Sequence, residues 1–87
     1  MGYEVSFTRS AEKDLRRIGR GDPGLRRRLV AAAQALATNP RPDGCKKLSG
    51  IAGYRIRVRE YRILYTIDDG VVTVRVFRFA SRAEAYE

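Results

Sequence analysis

The first half of the chain predicts one strand and two helices. Residues 3–8 alternate apolar and polar side chains, which is the period of a strand with one buried face. Thr8 or Ser10 can then cap a helix whose apolar side chains recur at helical spacing. Asp22-Pro23 supplies an N-cap and a proline for a second helix, which is predicted to run to Thr38. We therefore expect an antiparallel pair of helices joined by a tight turn.

The second half begins with a loop and then changes to a period of two. Residues 39–53 contain repeated prolines and glycines, which predict a loop. Apolar side chains alternate from Tyr54 to Val58, and they alternate again from Tyr61 to Ile67 with the opposite parity. One straight strand cannot exchange its faces midway, so a turn or a bulge is expected at Arg59-Glu60.

A further turn and a last strand complete the pattern. Asp69-Gly70 predicts a two-residue hairpin turn, and the last strand is expected from Val71 to Phe79, with Phe79 on the same face as Arg75. The order predicts an α+β fold: an N-terminal strand, a two-helix antiparallel hairpin, and three antiparallel strands forming one sheet. We expect the helices on one face of that sheet, a short C-terminal segment, and a single domain over residues 1–87.

Composition adds a strong positive charge to this plan. The chain has 18 Lys and Arg residues against 10 Asp and Glu residues, a formal net charge of +8. Such a balance predicts attraction to nucleic acid or to an acidic protein. Successive side chains of a strand point to opposite faces of the sheet. If the apolar side chains of each strand pack against the helices, four arginines lie on the uncovered face: Arg55, Arg57, Arg62 and Arg75.

Closely spaced guanidinium groups repel one another, and a polyanion whose phosphate oxygens match their planar forks explains the arrangement. The alternative is a set of independent surface arginines on an exposed sheet face. The predicted second helix also carries Arg26, Arg27 and Arg28, which form either a solvated basic face or a wider nucleic-acid footprint.

The missing residue types limit the chemistry. The chain has no histidine, and its single cysteine, Cys45, cannot form an internal disulfide or a zinc site alone. No acidic cluster suits Mg²⁺, so we expect no metal and no cofactor. No apolar run is long enough to span a membrane, and no signal peptide precedes the first charged residues. These features favour a cytoplasmic protein without membrane contact.

The order of elements and several short motifs resemble the RelE/ParE superfamily of bacterial toxins. The likeness extends from Tyr3 to Tyr86 and includes the stretch KKLSGIAGYRIRVREYRILYTIDDGVVTV. Its most specific parts are the lysine–leucine–glycine loop, the Tyr-Arg-x-x-Tyr of residues 61–65, and the Arg–Tyr pair in the terminal RAEAY. No single motif is decisive, and the resemblance depends on their order and spacing.

The RelE branch of this superfamily implies an mRNA interferase that enters the ribosomal A site and cuts the codon there. It also implies an acidic antitoxin encoded beside the toxin, with operator DNA contacted only through that antitoxin. By resemblance, Arg55 and Arg57 match basic residues of the first catalytic strand, and Arg62 matches a phosphate-binding arginine. Arg82 and Tyr86 match the C-terminal arginine and tyrosine.

Two positions depart from the family pattern. Many relatives have lysine where Arg55 and Arg57 stand, and a lysine with a lowered pKa can act as a general base, whereas arginine stays protonated. Ser81 stands directly before Arg82, where many relatives have His or Lys.

Metal-free RNA cleavage needs a deprotonated 2′-OH, a stabilised transition-state phosphate and a protonated leaving group. We expect Arg57, Arg62 and Arg82 to stabilise charge and Tyr86 to move or position the proton. Packing of Tyr86 on the sheet is the alternative. The residues expected to contact RNA or the ribosome are Lys46, Lys47, Arg55, Arg75 and Phe77, the last by base stacking or, alternatively, as a core residue.

Two other functions fit the same sequence. The ParE branch implies a protein that poisons DNA gyrase by binding, without cleaving RNA, although retention of both Arg82 and Tyr86 argues modestly against it. The arginine-only strand also suits a nucleic-acid-binding module without catalysis. Only an mRNA interferase would produce cleaved mRNA, and only a ParE-like gyrase inhibitor would produce gyrase-linked DNA breaks.

Overall fold

The computed structural model describes residues 2–83 and confirms the α+β fold. Tyr86 and the expected C-terminal segment lie outside the described residues. The elements, in chain order, are β1 (Glu4–Phe7), α1 (Arg9–Gly21), α2 (Pro23–Ala35), β2 (Lys46–Lys47), β3 (Tyr54–Val58), β4 (Tyr61–Asp68) and β5 (Thr73–Ser81). No helix among residues 2–83 has the length and apolar character that a membrane crossing requires.

Side-chain caps start both helices at the predicted positions. The Thr8 hydroxyl oxygen accepts a hydrogen bond from the Ala11 N–H at 3.2 Å, and Asp22 Oδ1 accepts one from the Leu25 N–H at 3.0 Å. Asp22 alone separates α1 from α2, because it closes the first helix through its backbone and begins the second through its side chain. Helix α2 ends at Ala35 rather than at Thr38, and a short turn follows it.

The sheet has five strands in the order β1-β5-β4-β3-β2. Strand β1 runs parallel to β5, while the other neighbouring pairs are antiparallel. The two helices cover one face, where Ala11 and Leu29 pack with Ile63, Tyr65 and other buried side chains. The other face of the sheet carries a small second cluster of Leu48, Leu64 and Ala80.

Two details of the strands differ from the sequence prediction. Residues 39–53 are not entirely loop, because Lys46 and Lys47 pair with Arg55 and Tyr54 as a short edge strand. The prediction of a two-residue hairpin turn at Asp69-Gly70 is wrong. The last residue pair between β4 and β5 is Asp68 with Thr73, so the turn has four residues. The Asp68 carboxylate accepts the Val71 N–H at 3.0 Å and thereby stabilises the wider turn.

A bulge in β5 overturns the predicted parity of its second half. Leu64 pairs with Arg78 and Tyr65 pairs with Val76, so Phe77 is an extra residue on β5. Phe79 therefore lies in the core beneath the helices instead of sharing a face with Arg75. Phe77 packs against the small cluster on the other face.

Candidate functional site

The uncovered face of the sheet brings four cationic side chains together at the β3–β4 hairpin. Arg57 and Arg62 stand directly opposite each other, and Arg55 lies two residues from Arg57 on the same side of β3. Lys46 of β2 stands opposite Arg55. Directly opposed side chains have Cβ atoms about 5 Å apart, so the pairing register alone makes these cations neighbours.

Burial separates these cations into two kinds. Arg55 and Arg62 are each only 6% exposed, although both carry charge, whereas Arg57 is exposed. A buried arginine has fewer accessible rotamers than an exposed one, so Arg55 and Arg62 are held in place before any ligand arrives. Preorganised cations of this kind can stabilise a charged transition state without first reorganising.

A cavity of about 130 Å³ lies at the tip of this hairpin and is called the hairpin cavity below. Its lining consists of Arg57, Arg59, Glu60, Arg62 and Arg82. The backbone N–H of Arg82 donates to the Glu60 carbonyl oxygen at 2.9 Å, which ties the end of β5 to the turn. Three arginines expected to act on a phosphate, from three separate places in the sequence, therefore line a single cavity.

The turn that closes the hairpin has an unusual backbone. Arg59 has a φ of 57°, in the left-handed region that non-glycine residues seldom adopt. The turn lies at Arg59-Glu60, as the change of parity predicted. Such a conformation costs about 1–3 kcal/mol and persists where surrounding contacts fix it, as the bond from Arg82 does here.

A second cavity, of about 310 Å³, adjoins the first on the side of β2 and is called the loop cavity. Lys46, Arg55 and Arg57 line it together with Asp43, Gly44 and Ile56. Arg57 belongs to the lining of both cavities, so the two form one continuous cationic region. An extended phosphate chain could contact both cavities at once.

Four other candidate residues lie elsewhere or outside the described residues. Arg75 is on the same face but opposite Thr66, which is about 13 Å along β4 from Arg62 at ordinary strand spacing. Lys47 stands opposite Tyr54 and so points to the other side of β2 from Lys46.

Phe77, half-buried on the small cluster, borders a different cavity beside Thr8, Ser10, Ile51 and Arg78. The place of Tyr86 relative to the cavities stays a prediction.

The loop that carries Lys46 is attached to the sheet by buried and surface contacts. The Tyr65 hydroxyl donates to the Pro40 carbonyl oxygen at 2.7 Å, and burial raises the pKa of this phenol. Arg41 binds both carboxylate oxygens of Asp69, at 3.5 and 3.0 Å, and its guanidinium lies 5.5 Å from the centre of the Tyr54 ring. Together these contacts fix the start of the loop.

Asp69 is the centre of this surface group. It accepts hydrogen bonds from Arg41 and, at 2.7 Å, from the Tyr3 hydroxyl, and these two donors lower the pKa of its carboxyl group. Because Tyr3 precedes β1 and Asp69 follows β4, the contact joins the start of the described chain and the β4–β5 turn to the loop. We call Tyr3, Arg41 and Asp69 the surface clasp.

The base of the loop requires a glycine at one position. Gly53 has a φ of 139°, and a Cβ atom there would lie 2.9 Å from the Tyr65 carbonyl oxygen and 3.2 Å from Leu48 Cδ1. Any other residue would combine backbone strain with a steric clash. The Leu48 N–H donates to the Gly53 carbonyl oxygen at 2.9 Å, so the loop closes over buried Leu48.

Sequence reasoning missed three charged residues of these cavities: Arg59, Glu60 and Asp43. The first two were recognised only as a turn, yet a turn between two cationic strands necessarily borders the cations at their ends. Glu60 matters most, because among the described residues that line the hairpin cavity it alone can accept a proton at neutral pH. No cluster of three metal-ligating side chains occurs within residues 2–83.

Comparison with known protein families gives one consistent match. A family described as the ParE toxin of the type II toxin–antitoxin system parDE matches residues 5–86. Among curated proteins, no sequence matches the chain significantly.

Solved structures agree with the family match. The RelBE2 toxin–antitoxin complex of Mycobacterium tuberculosis contains a chain of 31% identity and TM-score 0.81, with coverage of 97% of this chain and 95% of that one. A substituted form of the Escherichia coli toxin RelE in the free state gives 28% identity and a TM-score of 0.73, covering 93% and 84%. The archaeal RelE–RelB complex of Pyrococcus horikoshii, at 24% identity and TM-score 0.77, covers 98% and 100% and shares the fold.

Proposed function

Because the chain belongs to the ParE toxin family of type II toxin–antitoxin systems, within the RelE/ParE superfamily, we propose that it is a ribosome-dependent endoribonuclease. Its substrate is mRNA in the ribosomal A site, and its action inhibits translation. The observation that supports this proposal most is that Arg57, Arg62 and Arg82 line one cavity. Three guanidinium groups around one small cavity can together bind the oxygens of a phosphate.

The arginines act on the scissile phosphate. Arg57 and Arg62 contact its non-bridging oxygens from opposite strands, and Arg82 stabilises the charge that accumulates as the 2′-oxygen attacks phosphorus. The 2′-OH loses its proton, a new bond forms between this oxygen and phosphorus, and the bond to the 5′-oxygen breaks. The departing 5′-oxygen takes a proton from an acid in the site or from water, so the products are a 2′,3′-cyclic phosphate and a 5′-hydroxyl, and atoms and charge balance without a metal.

Two groups compete for the role of proton acceptor. Tyr86 matches the family's C-terminal tyrosine, and a cationic environment lowers the pKa of a phenol. Glu60 lines the hairpin cavity beside the same arginines, and its carboxylate oxygens can accept a proton. Arg55 and Lys46, in the loop cavity, contact the neighbouring phosphates of the mRNA.

The proposed partner that controls the activity is an acidic antitoxin. The M. tuberculosis relative was solved as a toxin–antitoxin complex, and a substituted E. coli RelE was solved with a peptide of the antitoxin RelBc. An acidic segment suits the cationic face formed by Lys46, Arg55, Arg57 and Arg62, and charge complementarity would accelerate its association. Operator DNA is reached only through that antitoxin, and a protein acting on translating ribosomes works in the cytoplasm.

The proposal is tested with single-turnover cleavage of mRNA on programmed ribosomes and of the same RNA free in solution. We expect efficient cleavage on the ribosome and poor cleavage of free RNA. Arg57→Ala should lower the rate about 10²–10³-fold, since it removes a donor aimed at the transition state. Arg75→Ala is the matched control, because it removes the same charge from the same face about 13 Å away along the sheet.

Equal rates on free and ribosome-bound RNA would contradict ribosome dependence. Equal losses in the two variants would show that only overall charge matters, which contradicts the assigned site.

A gyrase inhibitor is the second candidate, because the matching family is described by its ParE members. This function needs binding and no cleavage. Gyrase-linked DNA breaks after brief induction, without cleaved mRNA, would favour it over the ribonuclease. Neither breaks nor cleavage, with nucleic-acid binding retained, would favour a non-catalytic binding module.

A further inference from the structure

A second cationic concavity lies at the turn between the helices, on the side of the sheet away from the hairpin cavity. It has a volume of about 420 Å³ and is lined by Arg16, Gly19, Arg20, Pro23 and Arg26. We call it the arginine groove. Its residues come from the second half of α1 and the first turns of α2, so Asp22, which caps α2, fixes their relative positions.

Gly19 allows one of these arginines to lie across α1. A Cβ atom at Gly19 would stand 2.5 Å from Cδ of Arg26, so the stem of Arg26 occupies the space that a side chain would need. The stem thus packs on the helix at Gly19, and Arg26 lines the groove together with Arg16 and Arg20. The concavity follows from local packing as well as from charge.

The three arginines of the groove are exposed, and within residues 2–83 no carboxylate forms an ion pair with any of them. Glu12 stands one helical turn before Arg16 and forms no ion pair with it, and the two other nearby acids bind other groups. Asp22 accepts the Leu25 N–H, and buried Asp14 binds Arg78 Nε at 2.8 Å and the Phe79 N–H at 2.9 Å. The positive charge of the groove is therefore not neutralised within the described chain.

The surroundings of the groove favour a nucleic-acid backbone over a protein partner. Protein interfaces depend on large apolar or aromatic anchors at their centre. Among the described residues, the exposed large apolar side chains are Ile51, Val71 and Val72, and none of them lines the groove. Cations without such an anchor are typical of surfaces that contact successive phosphates.

We propose that the arginine groove is a separate binding site for the phosphate backbone of nucleic acid. The molecule then carries two phosphate-binding regions on opposite faces, and it can hold one strand at the hairpin cavity while a second nucleic-acid segment lies against the helices. Binding at the groove does not require catalysis, so the proposal holds whether the protein cleaves RNA or only binds it.

The test compares two triple variants that lose the same charge from the same two helices. The groove variant is Arg16→Gln, Arg20→Gln and Arg26→Gln. The matched control is Lys13→Gln, Arg27→Gln and Arg28→Gln, all exposed positions outside the groove lining. Glutamine is a good helix former, and circular dichroism with thermal melting verifies that both variants fold.

Binding of a short fluorescein-labelled RNA hairpin is measured by anisotropy over a series of salt concentrations. Each lost phosphate contact should reduce the slope of log K against log salt by about 1. We expect the groove variant to lose about 2–3 in slope and the control to lose less than about 1. Equal losses in the two variants, or no loss in the groove variant, would overturn the proposal.

Two further measurements test independence and ligand class. Arg57→Ala combined with Arg62→Ala should leave the contribution of the groove intact, so complete loss of RNA binding in that variant would refute a separate site. Labelled polyglutamate replaces RNA in the last measurement. If the groove variant loses as much affinity for polyglutamate as for RNA, the groove recognises acidic protein, and the nucleic-acid assignment is wrong.

Discussion

The two faces of the sheet use the same strands for opposite purposes. On β4, Ile63 and Tyr65 point toward the helices and are fully buried among apolar side chains. Arg62 and Leu64 point the other way, and this face collects cations from β3 and the end of β5. The comparison teaches that the covered face supplies stability, while the open face holds several like charges close together, where an anionic ligand can bind.

The largest expected effect that tests this contrast is the loss of cleavage rate when proton transfer on the open face is removed. Loss of a general base typically lowers a rate about 10²–10⁴-fold. We expect such a loss in single-turnover cleavage for either Glu60→Gln or Tyr86→Phe, with little change in melting temperature. The variant with the large loss identifies the proton acceptor, and parent rates in both would remove both residues from that role.

Substitutions on the covered face should change the stability of the fold. Ile63→Ala deletes a fully buried side chain between the helices and the sheet, which should lower the free energy of unfolding by about 2–5 kcal/mol. Urea denaturation measures this change. Thr66→Ala on the other side of β4 is the control and should change stability much less. Similar losses in the two variants would mean that the faces do not differ in their contribution to stability.

A smaller effect should appear when one repelling charge is removed. Arg57 stands directly opposite Arg62 and is exposed, so Arg57→Val replaces a like-charge pair with a β-branched residue suited to strands. We expect the free energy of unfolding to rise by up to about 1 kcal/mol while cleavage is lost. A clear decrease in the free energy of unfolding would contradict the view that Arg57 serves function at a cost in stability.

The smallest expected effect belongs to the surface clasp and depends on pH. Arg41 and Tyr3 lower the pKa of Asp69 in the folded protein, so the clasp stabilises the fold above the unfolded carboxyl pKa. This contribution disappears as the pH falls through the lower folded value. Asp69→Asn should therefore be slightly less stable than the parent at neutral pH, and the difference should begin to shrink below about pH 4 and vanish once the pH is below the lowered folded pKa.

Urea denaturation at several pH values measures this difference, and Asp43→Asn controls for the loss of one surface carboxylate. A difference that stays constant down to the acid limit would show that the charge of Asp69 does not stabilise the clasp.

The spacing of apolar side chains and the turn signals in the sequence sufficed to predict the helix pair and the cationic face of the sheet. Alternation in β3 and β4, with a turn at Arg59-Glu60, correctly placed Arg57 and Arg62 on one face. The bulge at Phe77 could not be predicted this way, because a strict period of two has no signal for an extra residue. Lys46 and Lys47 form too short a strand to show any period.

The candidate site was only partly accessible to sequence reasoning. The meeting of Arg82 with Arg57 and Arg62 depends on the bond from its backbone to the Glu60 carbonyl oxygen, which is a long-range contact. Glu60 went unnoticed because a turn residue was assigned a structural role alone. The arginine groove depends on the angle between two helices, which helical spacing does not determine.

The parallel pairing of β1 with β5 has a consequence for the timing of synthesis. Glu4–Phe7 find their partners only in residues 73–76, so the first strand stays unpaired until nearly all described residues have been made. Contacts this distant in sequence also slow folding. An interrupted translation product lacks β5 and cannot complete the sheet or bring Arg82 to the hairpin cavity. The order of the strands thus delays assembly of the cationic site until β5 has been made, and chains interrupted before β5 lack that site.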